Sequence, residues 1–77
     1  MNPELRAEIE RAIATERERC AACLEERIAF WMRSAKGWRE EARAEESMHI
    51  AAELDARAEQ SMHIAAELEA ALTDIRT

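Results

Sequence analysis

Ser34-Ala35-Lys36-Gly37-Trp38-Arg39-Glu40-Glu41 contains the single glycine of the chain, and its reading decides the fold. Helical spacing leads up to it. Apolar residues recur at Leu5, Ile9, Ile13, Cys20, Leu24 and Trp31, as one face of a helix requires. Asn2-Pro3-Glu4 has the order of a helix start: a capping side chain, a proline whose fixed φ suits the first turn, and an acid near the positive end of the helix dipole. Beyond the glycine a second run follows at Ile50, Leu54, Ile64, Leu68, Leu72 and Ile75. Lys36 suits a last turn, and Glu40 and Glu41 suit a first one. The expectation is an all-α, coiled-coil-like antiparallel hairpin spanning 1–77, with helices over about 3–35 and 39–75 and a turn near Gly37. The alternative is one continuous rod, since a glycine inside a helix costs only about 1 kcal/mol.

Charge favours the hairpin. The first apolar stripe contains Glu16 and Arg27, and the second contains Glu46 and Arg57. Folding back at Gly37 sets Glu16 opposite Arg57 and Arg27 opposite Glu46, with Leu5 against Leu68 and Ile9 against Ile64. Ions in a packing seam fix register, because mispairing leaves one uncompensated. The second half also repeats itself: Ala44–Ala56 recurs as Ala58–Ala70, displaced by two heptads, a shift that keeps one helix face in phase.

Composition sets further bounds. The chain has 77 residues, 48% hydrophobic and 36% charged, too apolar for a disordered segment. One Gly and one Pro exclude a β-rich fold, which needs frequent turns, and a glycine-rich phosphate loop. No stretch has the apolar length of a membrane span, and the N-terminus lacks the pattern of a signal peptide, so a cytoplasmic protein is expected. Two helices of this length bury only a small core, and pairing two hairpins into a four-helix bundle is the expected remedy, giving a homodimer.

The net charge of −6 is uneven. Basic and acidic side chains balance over 1–37, and the whole deficit lies in 38–77. Such a chain is a poor nucleic-acid binder, because phosphate contacts need clustered cations, and a better partner for a basic protein surface. Two partner-binding regions are candidates. One is the acidic second helix, through Glu45, Glu53, Asp55, Glu59 and Glu67. The other is an aromatic-basic tip around the expected turn, formed by Trp31, Arg33, Lys36, Trp38 and Arg39. At such a tip the tryptophans either anchor a partner or close the bundle end under arginine stems. The function expected is that of a non-enzymatic interaction module, an inhibitor or regulator. In size and charge alone the chain is similar to small acidic phage inhibitors of the anti-CRISPR class.

Motifs for chemistry are sparse. Cys20-Ala-Ala-Cys23 falls mid-helix, away from the helix N-terminus that activates a redox cysteine, and reads as half-buried packing. Glu46-Ser-Met-His49 resembles the Glu-x-x-His element of ferritin-like bundles, including the two-helix subunits of encapsulated ferritins, and that likeness implies a metal-binding bundle as an alternative. Against it, the repeat has Gln60 at the position matching Glu46, and Arg27 is expected at the same level. No metal or cofactor is therefore expected. His49 and His63 are read as flank residues with Glu53 and Glu67 as helix-surface neighbours. No serine has a histidine on its own helix face to act as base, so no catalytic set is expected. A hairpin dimer that binds nucleic acid through the basic tip, similar in architecture to plasmid RNA regulators, and a purely structural coiled coil complete the alternatives.

Overall fold

A computed structural model describes residues 2–77. The chain forms two helices, α1 (Pro3–Ala44, 42 residues) and α2 (Met48–Arg76, 29 residues). They pack as an antiparallel hairpin in a rod of 68 × 14 × 11 Å. The N-terminus of α1 forms as its residues dictate. Asn2 Oδ1 accepts from the Glu4 N–H at 2.9 Å, and Pro3 opens the first turn.

The reversal lies at Glu45–Ser47, not near Gly37, and both expected helix boundaries shift with it. Gly37 is an ordinary residue of α1, and no described residue has a positive φ. The physical reason is one of small costs. Glycine weakens a helix by only about 1 kcal/mol, whereas Glu45-Glu46-Ser47 offers a complete set of polar end groups. The Glu45 N–H donates to the Ala42 carbonyl at 3.3 Å. Glu45 Oε1 accepts from the Ser47 N–H at 3.2 Å, and Ser47 Oγ accepts from the Ile50 N–H at 3.4 Å. Ser47 is thus the N-cap of α2. The two copies of the repeat accordingly have different structures. Ala44–Ala56 straddles the turn, while Ala58–Ala70 is helix throughout; within α2 the copies stay in phase, with Ala51 and Leu54 of the first and Ala65 and Leu68 of the second all on the buried or half-buried face.

The new turn sets a new register. Ala21, Ile28, Ala35 and Ala42 are buried at heptad spacing on α1, as are Ala58 and Ala65 on α2, with Ser61 between them. This spacing places Ala35 level with Ala58 and Ile28 level with Ala65. Trp38 lies with Arg57 overhead, 5.1 Å from the guanidinium carbon to the ring centroid. The most deeply buried positions are therefore mostly alanines, with the larger Leu24, Trp31, Leu54, Ile64, Leu68, Leu72 and Ile75 half-buried around them. Small side chains let two helices approach closely, but each removes little apolar surface from water. Among the described residues no large side chain is fully buried.

The alignment of Glu16 with Arg57 and of Arg27 with Glu46 does not occur. Glu16 pairs with Arg19 on its own helix at 3.2 Å, Arg57 lies over Trp38, and Glu46 is in the turn. The expected facing of Leu5 with Leu68 and Ile9 with Ile64 is absent too, because the helices are unequal. α1 is roughly 63 Å long and α2 roughly 44 Å. The first turns of α1 project past the end of α2, and Leu5, Ile9 and Ile13 are 50%, 42% and 49% exposed. Among the described residues no helix is long and apolar enough to cross a membrane.

Candidate interaction surfaces

The expected aromatic-basic tip is dissolved by the shift of the turn. Trp31, Arg33, Lys36, Trp38 and Arg39 lie within α1, along the side of the rod. They separate onto two flanks. Trp31 and Trp38 are half-buried and line a shallow groove with Arg57, Gln60, Ser61 and Ile64 of α2. Arg33, Lys36 and Arg39 border a different groove with Met32, Arg43 and Met62. An arginine does lie across a tryptophan face, but it is Arg57 from α2, which a turn at Gly37 would have placed against Glu16. Phe30 and Trp31 meet edge to face with ring centroids 5.3 Å apart. The real tip is acidic and apolar instead: Glu45 and Glu46, then Met48 with 88% of its surface exposed, then Ile50.

The acidic candidates divide in the same way. Glu45 is committed to the turn through its hydrogen bond to Ser47. Glu53, Asp55, Glu59 and Glu67 are all exposed on α2. His49 Nε2 lies 3.3 Å from a carboxylate oxygen of Glu53 and His63 Nε2 lies 3.2 Å from one of Glu67, the four-residue helix-surface neighbours read from the sequence. The two arginines of α2, though exposed, each contact α1. Arg57 lies over Trp38, and Arg76 pairs with Glu25 of α1. Glu69 and Asp74 are exposed as well, so the charged side chains on α2 are six exposed carboxylates against two arginines.

Two motifs take on a different meaning. Glu46 precedes the N-cap, so Glu46 and His49 do not share one helix, and the Glu-x-x-His element lacks the geometry that gave it interest. Among the described residues no group of three or more His, Cys, Asp or Glu side chains is arranged to hold a metal ion. Cys20 and Cys23 are free thiols, and both are exposed rather than half-buried. The reason is geometric. Alanine heptads turn one side of α1 inward, and the cysteines lie on a different side, together with Ile9, Ile13 and Phe30. That second stripe is present in the sequence, but the larger residues made it look like the inward face.

Comparison with known proteins adds no name to these surfaces: no protein-family model, curated protein or solved structure matches the chain.

Proposed function

We propose that the protein is a non-enzymatic interaction module that works as a homodimer of helical hairpins and binds a basic surface of another protein through the outer face of α2. The observation that carries this reading is the opposite placement of the α2 charges. Both arginines of the helix are held against α1, while Glu53, Asp55, Glu59 and Glu67 point outward. A carboxylate row of this kind attracts a cationic surface over a Debye length of roughly 8–10 Å at ordinary salt, and orients it on approach. Inhibition or regulation follows if the covered surface is one that the partner needs.

Self-association is part of the reading because the hairpin leaves Leu5, Ile9, Ile13, Phe30 and Met32 of α1 exposed. A single small core supplies no more than about 3–5 kcal/mol, and here that core consists mainly of methyl groups. The test is affinity capture at low and high salt with the natural protein and with E53Q/D55N/E59Q/E67Q. All four positions are exposed, so the hairpin should persist. Partners held by the natural protein at low salt should be lost at high salt and lost from the variant. Capture that is indifferent to both changes would overturn the reading.

A further inference from the structure

We propose that the exposed side of α1 is the self-association face, and that it joins a second copy of the chain antiparallel, with Glu16 of each copy level with Arg27 of the other. The inference rests on the self-association proposed above and specifies its face, direction and register.

The stripe begins at Ile9, Ile13, Glu16 and Cys20 and continues through Cys23, Arg27 and Phe30. Its steps alternate between four and three residues, which is the spacing of a coiled-coil seam. It runs about 100° round α1 from the buried alanines, counting about 100° per residue, and so lies on a flank of the hairpin, where Ile75 of α2 borders its Ile13, Glu16 and Cys20. All of these residues are exposed, Phe30 by 54%. A seam pattern of this length, pointing at water in a hairpin that already has its own seam, calls for a second helix.

The two ions in the stripe choose which helix and which direction. Among the described residues Arg27 is paired with no carboxylate, and Glu16 is paired only with Arg19 of its own helix. A parallel second copy in register would place Glu16 against Glu16 and Arg27 against Arg27. Reversing the second copy about the point between Ala21 and Ala22 places Glu16 level with Arg27 twice, once on each side of the two-fold axis. The same operation sets Ile13 level with Phe30 and Cys20 level with Cys23. Outside the seam, Glu10 comes level with Arg33, Glu4 with Arg39 and Arg17 with Glu26; only Glu18 meets a like charge, at Glu25. One register thus matches apolar, thiol and ionic layers together.

Net charge points the same way. α1 carries equal numbers of acidic and basic side chains, whereas α2 has six acids and two arginines. Two copies of α1 meet without net repulsion, and two copies of α2 do not. The projecting first turns of α1 also find a neighbour: Leu5 comes level with Trp38 of the second copy. In the resulting assembly the α1 helices lie inside and the acidic α2 helices outside.

The test measures solution mass by light scattering and follows it with charge reversal. The natural protein should be a dimer. E16R alone and R27E alone should each weaken it about tenfold or more, because each creates like-charge layers on both sides of the axis, while E16R/R27E should restore it. Helical circular dichroism checks the hairpin, to which neither exposed side chain contributes packing. Register is read from disulfides, which form only when Cα atoms come within about 7 Å. Mild oxidation of a mixture of C20S and C23S should link unlike chains, and neither variant alone should link efficiently. Efficient linkage of C23S alone would indicate parallel helices and overturn the proposal. A dimer indifferent to E16R and R27E would overturn the α1 face but leave self-association standing. A monomer at all concentrations would overturn both, without bearing on capture of a basic partner by α2.

Discussion

Gly37→Ala should stabilise this protein. Gly37 lies inside α1 with a helical backbone, and a Cβ built on it meets nothing within 4 Å. The added methyl therefore costs no steric strain. It removes the entropic penalty of glycine, which in a helix interior is about 0.8–1.0 kcal/mol relative to alanine. For a chain of 77 residues a gain of this size raises Tm by about 4–8 °C. The assay is thermal unfolding followed by circular dichroism, at one fixed protein concentration because self-association adds its own concentration dependence. The same substitution separates the two topologies by sign. Were Gly37 the turn, as its isolation in the sequence suggests, alanine would be forced into a conformation suited to glycine and Tm would fall. A Tm that is unchanged or lower refutes the placement of the reversal at Glu45–Ser47.

Three further outcomes follow from the same geometry. Ser47→Ala removes the N-cap of α2 and should cost about 1 kcal/mol, while Ser61→Ala, at the equivalent position of the repeat but inside the helix, should be neutral or slightly stabilising by helix propensity; denaturant titration of the pair compares them directly. Ala58→Leu inserts a large side chain where the helices are closest and should cost about 1–3 kcal/mol in the same assay. A double-mutant cycle on Trp38 and Arg57 should return a coupling of about 0.5–1 kcal/mol that persists in moderate salt, as expected for a cation over a ring face.

The class of the fold was legible from residue spacing, and so was the start of α1, because Asn2-Pro3-Glu4 combines three independent local signals. The turn was not. Gly37 drew attention as the only conformational oddity, yet a lone glycine is a weak breaker, whereas a serine ahead of an apolar run is a positive capping signal. Ser47 carried that signal in the sequence, but its repeat copy Ser61 has the same neighbours except Gln60 in place of Glu46 and remains helical. Local sequence alone therefore does not distinguish the two; burial of Ser61 between Ala58 and Ala65 does. The candidate surfaces followed the turn. Carboxylates on α2 face outward in any hairpin, so Glu53, Asp55, Glu59 and Glu67 were readable. The grouping of Trp31, Trp38 and their basic neighbours depended on where the chain reverses, and moved with it.

The alanine heptads explain both the error and the proposed assembly. Hydrophobic size is the usual guide to an inward face, because a large side chain gains most from leaving water. In this chain the intramolecular seam alternates alanines with larger residues, Leu24, Ile28, Trp31 and Trp38 on α1 and Leu54, Leu68, Leu72 and Ile75 on α2, and it leaves Ile9, Ile13 and Phe30 elsewhere. A second stripe of α1, with Ile9, Ile13 and Phe30, is thus left unused by the hairpin. The ions embedded in it, Glu16 and Arg27, then lack partners across the hairpin and are free to specify direction and register between copies. A division of labour follows from charge: a neutral α1 for self-association, and an acidic α2, with its arginines against α1, for a basic partner.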